Sequence, residues 1–235
     1  MVCVTRFNPS CNGPLHLGHI YTLTINERYA HERSGAFYVR WDDLPFEDMR
    51  RESDLDMIAR IRDGMREDIE WLGFKVDGWY SELEMMPQVE TVWRHYHYEP
   101  APYLSRPIHP AYVHQPKGWL SYPYQPLLSA ERAVFDGLMG CTHLIRGEEL
   151  ATDLSLHCHY CDLFHIAKPE FIFLPRLMSA AGDISKTNGG YTIAGLRGAG
   201  YTPDAVHDLL ARASLIAPFN GWDLGNLKPQ PRVTL

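Results

Sequence analysis

No apolar run in this chain approaches the roughly 20 residues that a membrane-crossing helix needs. The opening Met1-Val2-Cys3-Val4-Thr5 turns polar too soon for a secretory leader. A cytoplasmic protein with no membrane partner is therefore the expectation. Cysteine is scarce: five residues, scattered except for Cys158 and Cys161. An odd, dispersed set is not a disulfide framework and suits a reducing compartment. Positive charge is also not in excess, since 22 Lys and Arg face 29 Asp and Glu, for a formal charge of -7. The chain has no overall basic footprint for holding nucleic acid by counterion release, so any polyanion must bind locally. No internal repeat is visible.

What remains is an ordinary globular composition. The 235 residues are 45% hydrophobic and 12% aromatic, enough for one substantial core or a core with a small appendage. Strand and helix signals alternate. Val2 to Phe7 is a short β-branched and aromatic run that stops at Asn8-Pro9-Ser10, and Leu15, Leu17, Ile20, Leu23 and Ile25 then recur near helical spacing. Residues 35–41 read as a second buried strand. From Ser53 to Trp71 the apolar residues Met57, Ile58, Ile61, Met65 and Ile69, with Leu72 beyond, form one stripe of an amphipathic helix. Residues 99–126 are crowded with Pro and Tyr and show neither period, which marks an irregular insertion. Beyond it come a strand near Thr142 to Arg146, a helix from about Asp153 to His165, a strand from Glu170 to Leu174 and a last helix. There Thr202 serves as N-cap and Pro203 as first helical residue.

Strands alternating with helices predict an α/β fold, a Rossmann-like parallel sheet with an irregular insertion and a short C-terminal helical segment. The expected divisions are 1–84 and 127–180 for the two halves of the sheet, 85–126 for the insertion, and 181–235 for a loop and helical tail. In such sheets ligands bind at the carboxyl ends of the strands. The string "NGPLHLGH" falls there, where the first strand hands over to the first helix, whose N-terminal amides attract phosphate. His16 and His19, one turn apart, share a side and can donate hydrogen bonds to phosphate oxygens; Gly18 between them lets a flat base approach the backbone. Two histidines at this spacing, taken alone, are more often surface or satisfied core residues.

The wider string is more specific. "RFNPSCNGPLHLGHIYT" resembles the first signature of the class I aminoacyl-tRNA synthetases, within the glutamyl and glutaminyl group, whose typical form is R-F-A-P-S-P-T-G-x-L-H-I-G-H. "FYVRWDDL", "REDIEWLGFKVD", "LMGCTHLIRGEEL" and "DISKTNGGYTIAGLRGAGYTPDAV" are similar to four further family blocks, in the right order, over roughly residues 4 to 208. The resemblance implies a ligase that activates an amino acid, glutamate or a close analogue, as its adenylate with ATP and Mg2+, and transfers it to tRNA or a modified tRNA nucleoside. His16, His19, Ser185 and Lys186 would be the catalytic residues, the last two on a mobile loop. Asn12, Gly13, Gly18, Glu149 and Ile184 would join His16, His19 and Lys186 around ATP. Arg6, Asn8, Ser10, Asp42, Tyr124, Arg132 and Arg146 would line the amino-acid pocket. Arginines around one cavity suit a dicarboxylic substrate, because each can form a bidentate pair.

Departures from the family pattern define what is particular to this chain. Asp183 stands where the loop usually begins with lysine, Asn8 replaces alanine, Cys11-Asn12 replaces Pro-Thr, and Asp42 is one methylene shorter than the usual glutamate. Arg132 falls where asparagine is usual and adds a third cation; the tyrosine that usually reads the side-chain carboxylate has only Tyr122 or Tyr124 as counterparts. Family members run on for a couple of hundred residues beyond the loop, so no anticodon-binding domain is expected, and a monomer is. A short relative, the glutamyl-queuosine tRNA-Asp synthetase, carries zinc in its insertion; the insertion here has no cysteine, so no such metal is expected. Its aromatics Tyr103, Tyr112 and Trp119, with only Arg106 and Lys117 as cations, fit either single-strand stacking or plain packing. In "LHCHYCDLFH", Cys158, Cys161 and His165 would share a helical face at zinc-like spacing, but the segment equally matches a family helix that packs on the sheet. Three alternatives stand beside tRNA charging: a non-tRNA acceptor, a different nucleotidyl transfer on the same scaffold, and a non-catalytic binding paralogue, which Asp183 would favour.

Overall fold

The computed structural model describes residues 2–44, 52–98, 124–174, 177–179, 182–183, 192–213 and 233–234. Its centre is a parallel sheet. Strands β1 (Val4–Phe7), β2 (Ala36–Trp41) and β3 (Gly78–Ser81) pair in parallel in the order β1-β2-β3, and β4 (His143–Gly147) pairs in parallel with β5 (Glu170–Leu174). The two groups meet where β4 lies beside β1: the Val4 amide donates to Thr142 Oγ1 (2.8 Å) and the Thr142 amide to the Val4 carbonyl (3.0 Å). The resulting order β3-β2-β1-β4-β5 reverses direction between β1 and β4, the topological switch point of a doubly wound sheet. The expected Rossmann-like α/β architecture is thus present.

Helix α1 (Leu17–His31) returns the chain from β1 to β2 and covers this junction. It is buried on nearly every side, through Leu17, Ile20, Leu23, Ile25 and Ala30, because the sheet lies under one flank and helices over the other. Asn26 ties it down: its Nδ2 donates to the Ile145 carbonyl (3.0 Å) while the Asn26 carbonyl accepts from Thr5 Oγ1 (2.8 Å). Gly35, just before β2, is required by crowding, since a Cβ there would sit 2.0 Å from the Cys3 carbonyl oxygen.

Strand alternation sorts the side chains into two cores. Phe7, Phe37, Val39, Trp41 and Ile145 face α1 and α2 (Glu52–Trp71), whose stripe of Ile58, Met65 and Ile69, continued by Leu72, is buried as its period predicts. Helices α6 (Ile193–Gly198) and α7 (Pro203–Ala213) add Leu196, Val206 and Leu210 to this core. The opposite core joins α3 (Glu82–His95), α4 (Tyr124–Leu138) and α5 (Leu154–Leu163) through Val89, Trp93, Val134, Phe135, Tyr160 and Phe164. A short 3-10 helix, Glu148–Asp153, leads from β4 into α5, and Leu177–Ser179, Gly182–Asp183 and Val233–Thr234 form a small separate sheet.

Several expected elements need redrawing. The expected boundary at 84/85 falls inside α3, so residues 85–95 are helical, and the irregular stretch expected to reach 126 gives way to α4 at Tyr124. Residues 99–123 lie outside those described. The helix expected from Asp153 to His165 is shorter, because Asp153 closes the 3-10 turn and His165 has left the helix with φ 51°. At α7 the reading holds in detail: the Ala205 amide donates to Thr202 Oγ1 (3.3 Å), with Pro203 first in the helix.

His157 on α5 is 1% exposed, and burial pushes its imidazole down to about 4 despite the attraction of Asp136, 3.9 Å away. The unfolded chain takes up that proton near pH 6.5, so between about 6.5 and 4 it binds a proton that the native state refuses. Stability is then complete above this window and falls as the pH drops through it. Urea unfolding at pH 7 and at about pH 4.5 should show a loss of roughly 2–3 kcal/mol that is absent in His157→Gln. An equal loss in the variant would assign the acid sensitivity to other groups.

Candidate active site

A cavity of about 270 Å3 opens at the carboxyl ends of β1 and β4, at the switch point. It lies near the lower end of the ~300–1,000 Å3 typical of small-molecule sites, a size for a compact metabolite. Arg6 and Phe7 come from the end of β1, Arg146 and Gly147 from the end of β4, Asn8, Ser10 and Asp42 from the turns that follow β1 and β2, and His19 from α1. Arg132 enters from α4. The structure thus gathers Arg6, Asn8, Ser10, Asp42, Arg132, Arg146 and His19 around one space, although they span 140 positions of sequence.

The floor of this cavity is a buried ionic network. Arg6, Arg40 and Arg146, at even positions of three neighbouring strands, point to the same side of the sheet, opposite the α1 core. Arg40 is completely buried; it donates through Nη1 to Asp136 Oδ1 (2.6 Å), through Nε to Glu82 Oε1 (3.0 Å) and through Nη2 to Asn8 Oδ1 (3.1 Å). Arg6, 4% exposed, grips the same Asp136 with Nε (3.0 Å) and Nη2 (3.4 Å). Burial alone would raise the Asp136 pKa, but Arg40, Arg6 and His157 overrule it and hold the carboxyl well below the usual range. Asn8 completes the network, its Nδ2 donating to the Arg40 carbonyl (2.9 Å) and to Glu82 Oε1 (3.2 Å). The asparagine at position 8 is therefore a structural partner of Arg40 as well as a wall of the cavity.

On the opposite wall, Ser10 Oγ donates to Asp42 Oδ2 (2.8 Å), and the two backbones pair as an isolated bridge. This fixes the one carboxylate among the described residues that line the cavity. Cys11 beside it is no nucleophile: burial, with Asp43 and Asp42 close by, pushes its thiol up to about 12.

The two histidines stand at the start of α1. His16 is the N-cap; its backbone amide donates to His19 Nδ1 (3.2 Å), and the rings stack with centroids 3.8 Å apart. Because Nδ1 of His19 accepts, the neutral ring carries its proton on Nε2. Asn12, Gly13 and Gly18 belong to the same turn and helix start. His16 also forms an isolated antiparallel bridge with Thr192, and the Ile193 amide donates to the Leu15 carbonyl (2.9 Å). The chain that follows the expected mobile loop is thereby pinned to the start of α1.

Other expected positions are reached only in part. Ile184, Ser185 and Lys186 lie outside the described residues; Tyr124 is the first residue of α4 and Glu149 belongs to the 3-10 turn. Of the zinc-like set, Cys161 is wholly buried in the α4–α5 core and its thiol is pushed up to about 12. Among the described residues no three His, Cys, Asp or Glu side chains gather as a metal cluster. Sequence reading passed over Arg40, Glu82 and Asp136, although a lone arginine in the apolar strand "AFYVRW" is itself a signal of a buried partner.

Residues 2–98 match the family described as tRNA synthetases class I (E and Q), catalytic domain. Glutamate-tRNA ligase 2 of Sphingopyxis alaskensis is 25% identical over 93% of this chain and 61% of its own length. This chain is similar to the class I glutamyl- and glutaminyl-tRNA synthetases. The glutamate-tRNA ligase of Sulfolobus acidocaldarius is 36% identical, over 39% of this chain and 15% of its own. The crystal structure of a glutamate tRNA ligase from Elizabethkingia meningosepticum, in complex with its amino acid, superposes with a TM-score of 0.65 at 17% identity, over 91% of this chain and 61% of that one. The chain spans about three fifths of the length of these proteins that it matches over most of its own.

Asp136 holds two buried guanidiniums, so removing its charge deprives Arg6 and Arg40 of their shared carboxylate. We expect Asp136→Asn to lower stability by about 3–5 kcal/mol in urea unfolding. A loss below about 1 kcal/mol would show that the arginines find other compensation.

Proposed function

We propose that this chain activates an α-amino dicarboxylic acid, glutamate or a close analogue, as its adenylate, and passes the acyl group to tRNA or to a modified tRNA nucleoside. One observation carries the reading: three guanidiniums, one fixed carboxylate and an α1 histidine line a single cavity at the switch point of the sheet. An amino acid bears the complementary groups, a carboxylate for a guanidinium and an ammonium for Asp42.

In the reaction, a carboxylate oxygen of the amino acid attacks the α-phosphorus of ATP. The bond from that phosphorus to the bridging oxygen breaks, and pyrophosphate departs with the electron pair. The nucleophile is already ionised, so the step needs no general base. Catalysis reduces to holding the two substrates in line and stabilising the charge on phosphorus and leaving group. Imidazole donors at the start of α1 suit the phosphate oxygens, aided by the helix N-terminus. Lys186 is six residues before Thr192, whose backbone pairs with His16. An extended chain of that length reaches about 20 Å, enough to bring the ammonium group onto the leaving pyrophosphate. Mg2+ takes most of its ligands from phosphate oxygens and, when bound, neutralises charge on the triphosphate. The protein's share is the amino-acid cavity, the imidazoles and the lysine.

ATP–pyrophosphate exchange, run with each amino acid with and without bulk tRNA, tests this. We expect exchange restricted to acidic amino acids, and its absence with every amino acid would sink the proposal. Lys186→Ala should lower the exchange rate by about 100-fold or more with an unchanged melting temperature. Wild-type rates in that variant would remove Lys186 from the reaction.

A further inference from the structure

A second cavity, of about 220 Å3, opens between α2 and the edge strand β3 and shares no lining residue with the first. One wall is a stack of three planar groups. Trp41 ends β2 and is 4% exposed; Trp79 of β3 lies against it, with ring centroids 5.4 Å apart and planes within 17° of parallel. The guanidinium of Arg66, from α2, sits over the Trp79 ring at 4.7 Å. Of the three groups the guanidinium is the most open, its side chain being half exposed.

The rim carries charges of both signs. Arg62, one helical turn before Arg66, is pinned from behind: its Nη1 donates to Asp43 Oδ2 (3.2 Å), which also accepts from Ser81 Oγ (2.7 Å), while Asp43 Oδ1 accepts from the Leu83 amide (3.0 Å). Asp63 and Glu84 bring exposed carboxylates to the same space. Two arginines and two acids balance, so the cavity has no net pull on a polyanion. Arg66 Nε donates to Glu70 Oε1 (2.9 Å) in a surface pair with both side chains about half exposed, which leaves the guanidinium plane available to a second ring. The cavity therefore offers hydrogen-bond donors and acceptors around a planar face.

The ligand that matches is a planar ring with donors and acceptors on its edge. An unpaired nucleobase is such a ring: its face stacks on a guanidinium plane, and its amino and carbonyl groups meet carboxylates and guanidinium donors. A paired base has that edge occupied, and a cavity of this size admits one base and not a duplex. The position fits as well. Trp41 lines this cavity and Asp42, the next residue, lines the first, so the two open side by side at the carboxyl end of the sheet. An RNA strand whose acceptor nucleotide reaches the amino-acid cavity passes the second one. Resting on the proposed transfer to tRNA, we propose that the cavity walled by Trp41, Trp79 and Arg66 binds one unpaired base of the acceptor RNA, flanking the nucleotide that receives the amino acid.

Arg66→Ala and Arg66→Lys test the site, the second keeping the charge and losing the plane. The probes are short single-stranded RNAs of one base each and a blunt RNA duplex, followed by quenching of tryptophan fluorescence, with pyrophosphate exchange and melting temperature measured on the same proteins. We expect the single strands to quench the wild type and both variants to bind them about 5- to 100-fold more weakly, with exchange and melting temperature unchanged. The duplex should bind the wild type no better than it binds the variants. Equal single-strand affinity in wild type and variants, no binding by the wild type, or a duplex held as tightly as the single strands overturns the site. If exchange fails with every amino acid while Arg66-dependent RNA binding persists, the proposed activity falls and the base site stands.

Discussion

Asp136 is the constraint on which the site depends. Two strands deliver arginines to the same side of the sheet, and without a carboxylate between them their charges would repel at close range in a buried region. By binding Arg6 and Arg40 together, Asp136 lets β1 and β2 carry guanidiniums beneath a cavity at all. The arrangement also spans the fold. Arg6 and Arg40 belong to the first half of the sheet and Asp136 to α4 of the second, so the network ties the halves across the switch point. A buried ionic cluster of this kind is a poor source of net stability compared with apolar packing. Its use is orientation, since all three nitrogens of Arg40 and one edge of Arg6 have assigned partners and the wall they form has few alternative shapes.

The same logic accounts for the departures from the family pattern. Asn8 in place of a smaller residue fills the donor and acceptor needs of Arg40 and Glu82 through both ends of its amide. Asp42, though shorter than glutamate, is held by Ser10 on the wall. Arg132 adds a third guanidinium to the lining of the cavity. These positions line one cavity.

Much of the scaffold was legible in the chain because its signals are local. The apolar stripe of α2, the Thr202-Pro203 start of α7 and the run from Glu170 to Leu174 depend on spacing over a few residues, and each is found where expected. β3, only four residues of "GWYS", is too short to show a period, and α3 hides behind Pro87, a residue that ordinarily ends helices yet lies within this one. The site was legible in membership more than in chemistry. The motif blocks brought Arg6, Asp42 and Arg146 to attention, but nothing near Asp136 in sequence announces its partners, which lie 130 and 96 positions away. Only the fold reveals that Arg6 is already engaged.

The backbone bridge between His16 and Thr192 has a mechanical consequence. Because Thr192 pairs with the very residue that caps α1, and the Ile193 amide with the Leu15 carbonyl, the heads of α1 and α6 are fastened together. Any shift of the turn that carries the imidazoles is therefore felt directly at the start of α6.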